Sequence, residues 1–262
     1  MSKRPLILLT NDDGMTAPGL RALVDAVSIL GEIIVVAPDT PQSGKGHAIT
    51  IEEPLRLHEV DLFDGIVAYE CSGTPVDCVK LAKNVLLKER QPDICLSGIN
   101  HGSNASINII YSGTLSAAME ASLEGIDSIG FSLLDYSFSA NFQDCLPYVT
   151  DIVRHVLENP LECTKLLNVN IPVGQIKGVK ICRQAEARWV EEFQEGSDPR
   201  GEKYYWLTGR FESLDQGPDA DVTALQNGYI SIVPSMHDLT HYQALDSLRS
   251  LEKIELNRVS EI

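Results

Sequence analysis

The first apolar run of the chain, Leu6-Ile7-Leu8-Leu9, ends in two adjacent carboxylates, Asp12 and Asp13, within the stretch LILLTNDDGMTAPGL. Four consecutive apolar residues suit a strand buried on both faces. Asp-Gly after such a strand suits either a hairpin turn or the mouth of a site at a strand end. The residues after the turn exclude the hairpin: Leu20, Leu23, Val24 and Val27 recur at helical spacing, with Pro18 placed for a first helical turn after a Thr16 or Ala17 cap.

The alternation repeats. EIIVVAP, IVAYECS, DICLSGIN, SIGFSL and KLLNVNIP are apolar enough for buried strands. Between them the spacing predicts helices over 74–88, through TLSAAMEASLEG with Gly125 closing it, and through FQDCLPYVTDIVRHVLEN with Pro147 near its first turn. Strands alternating with helices imply an α/β fold, with a mostly parallel sheet, right-handed crossovers and helices on both faces.

From about Val179 the rhythm changes. VKICRQ, RWVEEFQE and EKYYWLTGRFE read as strands, with the turn-forming GSDPRG joining the last two into a hairpin. DVTALQNGYISIVPS reads as a short helix and strand, and an amphipathic helix is expected over 244–256. The expected division is an α/β core over 1–184 and a β-hairpin with a C-terminal helical extension over 185–262. The hairpin carries both tryptophans, Trp189 and Trp206, with Tyr204 and Tyr205. A lone two-stranded hairpin cannot bury such rings by itself, so it should pack on something, another subunit being one choice.

Composition narrows the function. A chain of 262 residues, 44% of them hydrophobic, holds one large core or a core with an appendage. A formal net charge of −16 repels nucleic-acid polymers and anionic membranes. It also repels small phosphates, so an anion site here needs a local source of positive charge. No run is long enough to span a bilayer and no signal-peptide cleavage pattern comes after the basic start, so a soluble, cytoplasmic protein is expected. The six cysteines form no C-x-x-C pair and read as buried, reduced thiols rather than a zinc site or a disulfide framework.

Three predicted loops fall at the carboxyl ends of parallel strands, the edge where open α/β sheets bind ligands: NDDG, DTPQSGKGH and SGIN. They bring Asp12, Asp13, Ser43 and Asn100, all hard oxygen donors, which suit Mg²⁺ or Mn²⁺ better than zinc. YSGTLSAAMEAS adds a helix N-terminus in which Ser112, Gly113 and Thr114 offer free backbone N–H groups and two hydroxyls to an anion. Each element has a plainer use alone, as a cap or a turn. Together at one sheet edge they describe a metal and a phosphate held side by side. SGKGH is neither a Walker loop nor a dinucleotide fingerprint, and the histidines show no H-E-x-x-H spacing; His101 stands out only for its place beside Asn100.

In order and spacing, NDDG, APD-x-x-x-SG, SGTP-x-D-C, SGIN-x-G-x-N and YSGT-x-x-AA resemble the SurE survival-protein family, over most of the first 185 residues and again at GYISIVP and DLT. The form HGSNASINIIYSGT looks closest to members from the Bacteroidetes. The resemblance implies a Rossmann-like core whose hairpin and C-terminal segment are exchanged between subunits, hence a homodimer or homotetramer. It implies a 5′-nucleotidase: a metal-dependent phosphomonoesterase of nucleoside 5′-monophosphates, with 3′-monophosphates and short polyphosphate as further substrates to test. One Mg²⁺ or Mn²⁺ per subunit would be held by Asp12, Asp13, Ser43 and Asn100, and phosphate by Ser112, Gly113 and Thr114 with Asn11 nearby. Asp12 and Asp13 then serve catalysis by activating water through the metal, since ligation makes them poor covalent nucleophiles. A non-catalytic nucleotide sensor is the alternative from another class. Two departures from the family pattern stand out. Ser106-Ile107-Asn108-Ile109 replaces an acidic GDDV, removing a loop carboxylate, and in Pro234-Ser235-Met236-His237-Asp238 the histidine is displaced by one residue.

Overall fold

The computed structural model describes residues 4–137 and 139–254. β1 (Leu6–Thr10) passes through the acidic turn into α1 (Pro18–Val27), capped at Ala17 with Pro18 in its first turn. Next come β2 (Glu32–Pro38), β3 (Leu57–Val60) and β4 (Val67–Cys71). The apolar pattern misses β3, because its central His58 and Glu59 are exposed at the sheet edge. α2 (Pro75–Leu81) opens with a capping box between Thr74 and Asp77, then widens into a π-helical turn, Ala82–Leu86, so the helix expected over 74–88 is regular only in its first half.

β5 (Ile94–His101), α3 (Gly113–Leu123), β6 (Asp127–Leu133), α4 (Leu146–Glu158) and β7 (Leu166–Ile171) keep the predicted alternation. β8 (Val179–Ile181), β9 (Ala187–Val190), β10 (Phe193–Ser197), β11 (Lys203–Leu207), β12 (Arg210–Ser213), α5 (Asp221–Gln226), β13 (Ile230–Ser235) and the short α6 (Leu245–Leu248) complete the chain.

Nine strands form one sheet in the order β3-β4-β2-β1-β5-β6-β7-β13-β8. From β4 to β7 every pairing is parallel; β3 is antiparallel to β4, and β13 is antiparallel to β7 but parallel to β8. The continuous apolar run of β1 now has its reason. Ile7 and Leu9 pack with Leu20 and Leu23 of α1 and Val149 and Val153 of α4. Leu6 and Leu8 point the other way, into Cys78 and Val79 of α2 and Ala117 and Ala121 of α3. Alternate side chains thus enter two cores, each fully buried Leu or Ile contributing about 1.5–3 kcal/mol. Five cysteines are buried, whereas Cys163 is exposed. No helix among the described residues is long and apolar enough to cross a membrane.

The C-terminal third departs most from expectation. Each predicted long strand breaks in two, at Glu191, which takes φ +55, and at the Thr208-Gly209 pair. One hairpin becomes two ribbons: β9 with β12, and beyond it β10 with β11 closed by GSDPRG. The rings divide accordingly. Trp189 is half-buried and meets Phe211 edge-on at 5.8 Å, while Trp206 is 67% exposed. The helix expected over 244–256 is only a string of short turns from Tyr242 to Lys253, with Leu245, Leu248 and Leu251 all exposed. An amphipathic stretch needs a surface to lie on, and the described residues offer it none; residues 255 and 256 of that expectation lie outside them.

β13 brings the chain beyond residue 184 into the main sheet, and Asp221 fastens it to the functional edge. This fully buried carboxylate accepts the backbone N–H groups of Ser106 at 2.8 Å, Ala185 at 3.0 Å and Val222 at 2.7 Å. Asp221→Ala leaves at least two buried donors unpaired and is expected to lower the unfolding free energy by ~3 kcal/mol or more, read from urea titration. A change below ~1 kcal/mol would show that this carboxylate does not hold the segment.

Candidate active site

Three loops converge at the carboxyl edge of the parallel strands. The acidic turn is set by Asn11, whose buried amide donates to the Gly14 carbonyl at 2.9 Å and whose Oδ1 accepts the Gly14 N–H at 3.2 Å. That leaves Asp12 pointing inward, 4% exposed, and Asp13 beside it. The second loop is tied to the first by the Gln42 N–H, which donates to the Asp12 carbonyl at 2.7 Å, one residue before Ser43. Its far side is held by α2: the Thr74 hydroxyl donates to the Ala48 carbonyl at 2.7 Å, and Asp77 accepts the Thr50 N–H. His47 and Lys80 both meet the buried Glu120 of α3, joining loop, α2 and α3.

Asn100 stands at the end of β5, past a bulge between Ser97 and Asn100 in the pairing with β6. Its amide nitrogen donates to the carbonyls of His101 at 3.1 Å and Gly102 at 2.9 Å, and its Oδ1 accepts no hydrogen bond among the described residues. His101 donates its backbone N–H to Asp13 at 3.4 Å, and its ring Nδ1 lies 3.0 Å from the Ser137 carbonyl oxygen.

The first turn of α3 closes the site. Ser112 is its N-cap, accepting the Leu115 N–H at 3.0 Å, and the Thr114 hydroxyl donates to Asp12 Oδ1. Gly113 is required by close approach: a β-carbon there would lie 2.7 Å from Asp12 Cβ and 2.9 Å from its Oδ2. Burial raises the Asp12 pKa to about 6, with the Asp13 charge adding and the Thr114 hydrogen bond opposing; burial likewise raises Asp13. No lysine or arginine among the described residues forms an ion pair with either carboxylate. Two adjacent, desolvated carboxylates with no lysine or arginine partner, beside an amide oxygen, fit a hard divalent cation. No group of three His, Cys, Asp or Glu gathers among the described residues, in keeping with a donor set half made of neutral oxygens.

A cavity of about 540 Å³ opens here, lined by Asp12, Ser43, Asn100 and Ser112 on its polar side and by Tyr111, Tyr136, Trp189 and Leu207 as well. Asp13 stands half-buried beside Asp12, Gly113 and Thr114 follow Ser112 against Asp12, and Asn11 shapes the turn behind it. Sequence reasoning missed the supports. Asn104 donates to Ser132 Oγ at 2.8 Å and, through its backbone N–H, to Asn170 at 2.8 Å, and Asn168 returns a bond to the Asn104 carbonyl at 2.9 Å. In the Ser106–Ile109 segment, the Ser106 hydroxyl donates to Ala185 and Asn108 accepts the Trp189 indole N–H at 2.9 Å. The asparagines of NVN carried a signal only in being polar within an apolar run, and Asn104, in a loop of small polar residues, carried none. Trp189 stood out only as a hairpin ring in need of a surface, not as part of the cavity wall.

Fold and site together define an α/β protein with an acidic, oxygen-lined cleft at the carboxyl edge of its sheet, abutting a helix N-terminus. The chain belongs to the family described as Survival protein SurE, whose sequence model matches residues 7–191. It is 57% identical over 251 residues to the 5′-nucleotidase SurE of Cytophaga hutchinsonii, covering 95% of this chain and 96% of that one. To the 5′-nucleotidase SurE of Phocaeicola vulgatus it is 44% identical, covering 95% and 97%. The crystal structure of the SurE protein from Aquifex aeolicus matches with a TM-score of 0.83 at 40% identity, covering 95% of this chain and all of that one.

Alanine is the better helix former by ~1 kcal/mol, yet Gly113→Ala should destabilise the protein. The added methyl must displace Asp12, at a cost of about 1–3 kcal/mol in urea unfolding. A gain in stability would mean that Asp12 does not pack on α3 in this way.

Proposed function

We propose that this chain is a 5′-nucleotidase, a phosphomonoesterase that releases phosphate from nucleoside 5′-monophosphates with one Mg²⁺ or Mn²⁺ per subunit. The observation that supports the reading is the junction of Asp12 with the first turn of α3, which sets a buried carboxylate directly against a helix N-terminus. Asp12, Asp13, Ser43 and Asn100 would hold the cation. The bound cation supplies positive charge against the phosphate and Lewis-acid activation of water. Ser112 and the Gly113 N–H at the start of α3 would receive the remaining phosphate oxygens, the helix dipole opposing the developing charge. The Thr114 hydroxyl and the Gly113 backbone contribute by fixing Asp12. Asn11 contributes by shaping the turn. The free thiols, five of them buried, fit a reducing compartment such as the cytoplasm.

The same reading includes a homo-oligomer. On β10 and β11, Phe193 is 66% and Leu207 72% exposed as a pair on one face, and Trp206 is 67% exposed on the other, apolar surface that an interface between copies would cover.

Incubation of the purified protein with AMP and Mn²⁺ should release phosphate, and EDTA should abolish it. Asp12→Asn or Asp13→Asn is expected to lower kcat/KM by ~100-fold or more, since even indirect metal partners cost 10–100-fold. Binding of AMP with no release from any nucleotide would favour a sensor instead, and full activity in EDTA would remove all four ligand assignments.

Light scattering tests the assembly. The intact chain should scatter as a dimer or larger at micromolar concentration, and deletion of residues 191–211 should yield monomers; a monomeric intact chain overturns the interface.

A further inference from the structure

The cavity beside Asp12 carries aromatic surface that neither a cation nor a phosphate uses. Tyr136 is the clearest case. It is 70% exposed and lines the cavity, yet it is fixed at both ends. Its ring occupies the space that a side chain at Gly102 would need: a β-carbon there would lie 2.2 Å from Tyr136 Cε1 and 2.5 Å from Cδ1. Gly102 also sits at φ +98, where other residues are strained. The Tyr136 hydroxyl oxygen accepts the Ser103 N–H at 3.2 Å, and the Gly102 N–H donates to the Leu133 carbonyl at 2.8 Å, so the seat is anchored to the end of β6. A solitary exposed tyrosine is ordinary. An exposed ring seated on a glycine and hydrogen-bonded at its tip is a surface held ready.

The neighbouring wall presents ring surface in the same manner. The only indole donor of Trp189 is spent on Asn108, and the Asn108 amide is spent on the Ser103 carbonyl at 3.3 Å. The polar edges turn into the protein, and π surface remains for the cavity. The part of a nucleotide that takes π surface is its base, which stacks on aromatic rings with little regard to sequence.

We propose that Tyr136, seated on Gly102, is the stacking surface for the base of the nucleotide, and thereby sets the preference of this site for nucleotides over base-less phosphomonoesters. The proposal rests on the nucleotidase reading of the site.

The test compares kcat/KM for AMP with kcat/KM for ribose 5-phosphate, which carries the same phosphate and sugar without the base. The intact protein should favour AMP. Tyr136→Ala should lower the AMP-to-ribose-5-phosphate ratio by about tenfold, the loss appearing in KM for AMP, because base stacking spans roughly 5- to 150-fold by alanine substitution. Tyr136→Phe, which keeps the ring, should retain the preference. Gly102→Ala, which leaves the ring chemically intact but takes its seat, should lower the ratio as well. A ratio unchanged in Tyr136→Ala, or an intact protein that treats both substrates alike while releasing phosphate, overturns the stacking role and leaves the nucleotidase reading standing. Release from neither substrate overturns that reading and the stacking role with it.

Discussion

The carboxylate of Asp12 against the first turn of α3 is the contact on which the functional edge depends. Only a glycine at 113 admits it, and the Thr114 hydroxyl orients it. The burial that makes the contact rigid also raises the pKa of Asp12, an effect the neighbouring Asp13 compounds. A carboxylate so placed is electrostatically unfinished in a chain whose net charge is already −16. The divalent cation proposed above would complete it, with the helix dipole beside it as the second source of positive potential.

Everything nearby serves to hold that junction at fixed geometry. The two cores on either face of β1 fix where its strand ends, and hence where Asp12 emerges. Gln42 ties the Ser43 loop to the Asp12 carbonyl, and the capping box of α2 holds the loop from behind. The asparagine network under Asn104 and the Asp221 carboxylate under Ser106 fasten the segment that delivers Ser112 to α3. The site is thus carried by backbone groups pinned on several independent elements, which is how binding geometry is kept within fractions of an ångström.

The departure at Ser106–Ile109 gains a meaning from this. Where the family pattern is acidic, this chain uses the segment as scaffold: Ser106 bonds to Ala185 and to Asp221, and Asn108 holds Trp189. No carboxylate of that segment faces the cavity; besides Asp12, the carboxylate on the wall is Glu192. His237 is exposed and does not line it. The outer ribbon of β10 and β11 does the opposite, with Phe193, Tyr204, Tyr205 and Trp206 left in solvent.

Much was legible in the sequence because it depends on local periodicity. The apolar runs, the helical spacing of Leu20, Leu23 and Val24, and the alternation itself determine a parallel α/β sheet, and strand-end polarity places Asp12, Asp13, Ser43 and Asn100 at one edge. Periodicity carries no information about a third dimension. Only tertiary structure decided that the Thr114 hydroxyl is spent on Asp12, that Ser112 caps its own helix, that β13 inserts beside β7, and that Glu191 and Gly209 split one hairpin into two. Seating Tyr136 on Gly102 joins residues 34 apart in sequence. Hydrogen bonds and close approaches of that kind are fixed by where strands end relative to one another, and that depends on the packing of both faces of the sheet at once.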